Sequence, residues 1–66
     1  MMPERSRVEV EGMTLALYYL DALSSLEREF VERAAKKVRA SVALEPGEEE
    51  RVVELFAYYE RRGVLG

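Results

Sequence analysis

The sequence predicts an all-α fold of three short helices, a helical hairpin plus a hydrophobic first helix, preceded by an extended N-terminal arm. Three observations predict it: apolar residues recur at helical spacing across most of residues 14 to 62, Ser24 stands three positions before Glu27, and Pro46-Gly47 interrupts the pattern once. At 66 residues the chain holds one domain, with residues 1–12 as the arm and 13–66 as the three-helix unit. A hydrophobic fraction of 48% beside 35% charged residues is the balance of a globular chain.

The arm comes first. Pro3, Glu4, Arg5, Ser6 and Arg7 are polar, and Val8, Glu9, Val10 and Glu11 then alternate before Gly12. Alternation at period two predicts extended backbone, either flexible or paired with another chain, because one short strand has no ladder of its own. Thr14 is the expected cap of the first helix, over 14–23, with Leu15, Tyr19, Ala22 and Leu23 on its inner face. The run Met13 to Leu23 carries a single charge, Asp21, so apolar residues spill over onto other faces of this helix. A domain this small buries only about 60% of the surface its unfolded chain exposes, so the surplus calls for a partner.

Ser24 and Glu27 form the reciprocal pair of a capping box and open the second helix, over 25–43. Leu26, Phe30, Ala34, Val38 and Val42 recur at intervals of four, widened by Val31 and Ala35. Glu29 with Arg33 and Glu32 with Lys36 stand at i, i+4 on the solvated side. After the break at Leu44 to Gly47, the third helix is expected over 48–62, opened by Glu48, Glu49 and Glu50 and closed by Arg61 and Arg62, in the order the helix dipole favours. Gly63 is the expected left-handed terminator, with Val64 turned back toward Tyr59. Val52, Leu55, Phe56 and Tyr59 form the inward stripe, and this helix should pack on the second as an antiparallel hairpin.

Chemistry is excluded largely by what is missing. The chain has no histidine and no cysteine, which removes the usual zinc ligands, disulfides and the common activating base for a serine nucleophile. Glu48, Glu49 and Glu50 are consecutive, and neighbours on a helix point about 100° apart, so they do not converge on a metal. The glycines are scattered, without a phosphate loop. No catalytic residue, cofactor or metal is expected. The N-terminus has no signal-peptide pattern, and the apolar run falls short of the roughly 20 residues that cross a bilayer, so a cytoplasmic protein without membrane attachment is expected. Asparagine, glutamine and isoleucine are absent, Glu outnumbers Asp twelve to one and Arg outnumbers Lys eight to two, a bias that fits a GC-rich thermophile or a phage growing in one.

Positive charge gathers at the end of the second helix. Arg33, Lys36, Lys37 and Arg39 are the candidate contacts to nucleic acid, although a net charge of −3 offers no general attraction to phosphate. The tyrosine doublets Tyr18-Tyr19 and Tyr58-Tyr59 should each turn one ring inward and leave the other outside, where a rigid ring with a wettable hydroxyl suits an interface.

The stretch LSSLEREFVERAAKKVRASVALEPGEEERVVELFAYYERRG, Leu23 to Gly63, resembles a helical hairpin of small phage-encoded accessory proteins. In those, Leu-Ser/Thr leads an acidic, Phe-containing helix, and a short link joins it to a helix with an aromatic and basic end. The resemblance covers about two thirds of the chain and implies a phage or mobile-element adaptor that accompanies replication or regulatory modules, without catalytic residues; a small phage-type protein that binds a host enzyme such as a polymerase is an alternative reading of the chain. The residues themselves favour a non-catalytic interaction module that self-associates as a homo-oligomer through its first helix. Leu17, Tyr18, Leu20 and Tyr58 are its expected interface.

Overall fold

In a computed structural model, which describes residues 6–65, the chain is all-α. Helix α1 spans Arg7–Tyr18, α2 spans Ser25–Arg39 and α3 spans Pro46–Arg61. Neither α1, α2 nor α3 is long and apolar enough to cross a membrane.

The first helix departs most from expectation. Residues 1–5 of the expected arm lie outside the described residues, and residues 7–12 are helical rather than extended. The cap is Ser6, whose Oγ accepts the Glu9 N–H at 3.2 Å. Thr14 is not a cap: it sits mid-helix, fully buried, and donates its hydroxyl to the Val10 carbonyl at 2.8 Å. That bond is how threonine satisfies itself inside a helix. An earlier start rotates the inner face. Val10, Thr14 and Leu17 are buried, whereas Tyr19, expected inside, is 74% exposed. The helix stops at Tyr18, and residues 19–23 form a turn.

Helix α2 opens on the expected capping box, with Glu27 N–H donating to Ser24 Oγ at 3.3 Å and Ser24 N–H to Glu27 Oε1 at 2.9 Å. Its core face is Val31, Ala34 and Ala35, and Leu26 is 75% exposed. The row 26, 30, 34, 38, 42 explains the difference: four residues turn a helix by about 400°, so the row drifts about 40° per step and its ends leave the core. The helix ends at Arg39, four residues before expectation. Ser41 takes the left-handed conformation (φ 59°), its N–H donates to Val38 O at 3.1 Å, and Val42 N–H donates to Lys37 O at 2.8 Å. This is a complete Schellman ending made without glycine. Neither Glu29–Arg33 nor Glu32–Lys36 closes to an ion pair; among the described residues, ion pairs join Arg7 to Glu11 at 3.0 Å and Lys37 to Glu48 at 2.7 Å.

Helix α3 starts at Pro46, two residues early. Proline is favoured at a first helical position, because its fixed φ suits the helix and its missing N–H would have had no partner. Glu48 accepts the Glu45 N–H at 2.9 Å. The far end is as expected: Gly63 has φ 74°, its N–H donates to Glu60 O at 3.0 Å, and Val64 N–H donates to Tyr59 O at 3.2 Å. Val52 and Tyr59 are buried, with Leu55 and Phe56 packed beside them.

Helix α1 packs against both of the others, so the hairpin of α2 and α3 is wrapped around it rather than closed on itself. The hairpin still runs antiparallel, tied by Lys37 to Glu48 beside the link and by Tyr59 to Glu27 at the opposite end. Helix α1 is antiparallel to α2: Arg7 Nη2 donates to Ser41 O at 3.3 Å, and Arg28, in the first turn of α2, donates to Tyr18 O at 3.4 Å and to Leu20 O. The Tyr18 carbonyl belongs to the open end of α1, whose last acceptors lack partners along the helix, and the Leu20 carbonyl to the turn that follows.

Candidate protein-interaction surface

The residues expected to meet a partner are spread by the fold over three environments. Leu17 is sealed in the core and presents no surface, which corrects its assignment to an interface. Tyr18 and Leu20 are half-buried and pack on the core. Tyr58, 44% exposed, lies apart from them, lining a shallow recess with Glu27, Arg51, Glu54 and Leu55. Leu17 turns inward because it stands seven residues after Val10, nearly two full turns.

At the C-terminal end of α1 the Tyr18 and Tyr19 rings meet edge to face, centroids 5.2 Å apart. The Arg39 guanidinium lies over Tyr18 at 4.4 Å from the ring centre, and its interaction with Tyr18 holds its pKa above the ordinary arginine value. A cation over a tyrosine face is attracted by the ring quadrupole. Tyr18 thus has Tyr19 on its edge and Arg39 on its face, and Tyr19 is left in solvent. The fold brings together Tyr18, from the expected interface, and Arg39, from the expected nucleic-acid contacts. Tyr19 and the Arg39 stack were missed by the sequence reading. The signal for Tyr19 was present: with Leu17 inward, a residue two positions on points about 200° away.

The other basic residues divide. Lys37 is bound to Glu48, whose carboxyl Lys37 holds below the usual range, while Arg33 and Lys36 stand exposed and with Lys37, Ala40 and Val42 line a second recess. Two of the four candidate nucleic-acid contacts, Lys37 and Arg39, are therefore occupied within the molecule.

The second doublet is built differently. Tyr58 and Tyr59 also meet edge to face, at 4.9 Å, but Tyr59 is buried and its hydroxyl donates to Glu27 Oε1 at 2.5 Å. That bond is the main reason the Glu27 carboxyl is held below its usual range, with the Ser24 N–H next, and it pushes the Tyr59 hydroxyl up to about 12. Outside, Arg62 lies 5.2 Å from the Tyr58 ring centre and donates to the Tyr58 hydroxyl at 3.1 Å. Among the described residues no three carboxylates gather as a metal site would require. Comparison of the chain with family models, with curated proteins and with solved structures finds no match.

Proposed function

We propose that this chain is a non-catalytic protein-protein interaction module that self-associates and offers the aromatic end of α1 to a partner. The observation that carries this reading is the exposed Tyr19 ring beside a Tyr18 ring held under Arg39. Tyrosine and arginine are the residue types that concentrate binding energy at interfaces. Side chains already held in place lose less freedom on binding, so less of the contact energy is spent on ordering them. Arg28 adds to this by fixing the end of α1 from its neighbour.

Light scattering from micromolar to millimolar concentration tests the self-association. The expected result is a mean mass rising above the 7.6 kDa of one chain; a constant single-chain mass removes this part of the reading. Affinity capture tests the surface, with Tyr19→Ser as the control. Tyr19 is exposed, so the variant should keep its circular dichroism, and proteins retained equally by both chains would rule the aromatic end out. Retention of a large host protein by a monomeric parent would favour the accessory-protein reading.

A further inference from the structure

We infer that a second copy of this chain lies antiparallel along the outer face of α1; this rests on the self-association proposed above and gives it a place. Val8, Gly12, Leu15 and Tyr19 follow one another at intervals of four, three and four, which aligns them on the side of the helix opposite the buried Val10, Thr14 and Leu17. Val8 is 77% and Tyr19 74% exposed, Gly12 is exposed, and Leu15 is half-buried. The stripe carries no charge. Gly12 is the observation that calls for a close neighbour. It sits inside the helix without the positive φ that favours glycine, and a β-carbon there would meet nothing within 4 Å. Within one molecule this glycine only weakens α1, since alanine would fit and lose less chain entropy on folding. Between Val8 and Leu15 it leaves a notch into which another chain can press.

Register and charge together identify the occupant. About a point midway between Met13 and Thr14 the stripe maps onto itself, Val8 with Tyr19 and Gly12 with Leu15. Two antiparallel copies related by a two-fold axis therefore set Leu15 of each over the Gly12 notch of the other, and Tyr19 of each over Val8. Charge selects the same orientation: Arg7, Glu9 and Glu11 lie in the first half of α1, and residues 12–20 carry none. A parallel pair would set Glu9 and Glu11 beside their own copies, whereas an antiparallel pair sets them beside the uncharged half and opposes the two helix dipoles. A helix of 12 residues is about 18 Å long and cannot cover the roughly 800 Å² per partner of a standard interface, so the dimer is weak.

Sedimentation equilibrium of the whole chain, of Gly12→Leu and of Gly12→Ala is the first test. The dissociation constant should rise tenfold or more in Gly12→Leu, with the circular dichroism unchanged because the single chain leaves that space open. Gly12→Ala, the safer substitution for folding, should raise the melting temperature of the dilute chain and still weaken the dimer. Orientation is read from a mixture of Val8→Cys and Tyr19→Cys variants, each with one thiol because the chain has no cysteine. Under a glutathione redox buffer the mixed disulfide should exceed the two like-with-like products together. An excess of the like-with-like products, or a dimer as tight in both Gly12 variants as in the parent, overturns the placement and spares self-association. A parent that stays monomeric at every concentration overturns both and leaves the face to a helix of another protein.

Discussion

The two tyrosine doublets share a sequence and a ring geometry, yet one is a structural joint and the other a surface. In Tyr58-Tyr59 the inner ring reaches past the core and closes a hydrogen bond to a carboxylate on another helix. In Tyr18-Tyr19 neither ring is buried, and the nearest charge is a cation stacked on a face. The difference lies in helix phase rather than in chemistry. Tyr59 follows Val52 by seven residues and inherits its inward direction, whereas Tyr18 and Tyr19 follow the buried Leu17 by one and two. A doublet therefore has no fixed meaning until the helix beneath it is phased.

The sharpest way to break the comparison is to truncate the second ring of each doublet. Tyr59→Ala should cost about 3–5 kcal/mol, as loss of a buried aromatic does, and on a domain this small urea unfolding should show little folded baseline. The same change at Tyr19 should stay within about 0.5 kcal/mol, as exposed substitutions do. Equal losses would mean that the two doublets share one role.

Next is the hydroxyl of Tyr59. Tyr59→Phe should lower stability by about 1–2 kcal/mol near neutral pH, a charge-assisted bond lost at a partly exposed carboxylate. Its pH dependence has a definite sign. Glu27 has a folded pKa below its unfolded value, so the contribution is present above the ordinary carboxylate range and disappears as pH falls through the lowered value. Tyr59 has a folded pKa raised to about 12, so the contribution is full below the ordinary tyrosine value of about 10 and disappears as pH rises through about 12. The gap between parent and Tyr59→Phe in urea titrations should accordingly be widest between these limits and close at both. A gap independent of pH would refute the assignment to Glu27.

A smaller effect separates the two Schellman endings. Gly63→Ala should destabilise by about 1 kcal/mol, because a β-carbon is strained at φ 74° even where space is open around it. Ser41→Gly should move the other way, by about 0.5–1 kcal/mol, since Ser41 already bears that strain. Thermal melts of the two variants, shifted in opposite directions, are the expected outcome. Smallest of all, Arg39→Ala should leave the thermal melt close to that of the parent while changing the tyrosine signals of the α1 end in NMR spectra.

Much of the fold was legible where a local motif determines it. Ser24 and Glu27 announced a helix start, and Gly63 announced an ending, because each motif fixes backbone hydrogen bonds within a few residues. The same logic was available at Ser6 and Glu9, but the alternation of Val8 to Glu11 argued for a strand and obscured it. Without that start the faces of α1 come out a fraction of a turn away from where they lie, with Leu17 outward and Tyr19 inward, the reverse of the structure. The end of α2 was illegible for another reason: Ser41 fills a place where glycine is the usual sign, and Ala40 and Ala43 carry no stop signal of their own. Of the candidate site, Tyr18 and Arg39 were each named, but their meeting depends on how α1 crosses α2 and leaves no trace in either local pattern.

One joint has a consequence for variation. Arg28 grips α1 through the main-chain oxygens of Tyr18 and Leu20, and a backbone oxygen is offered by every amino acid. Exchanging the outward side chain at 19 leaves that grip unchanged, so the tip of α1 is re-facable: a scaffold held from behind, whose specificity is free to drift without loosening the frame that carries it.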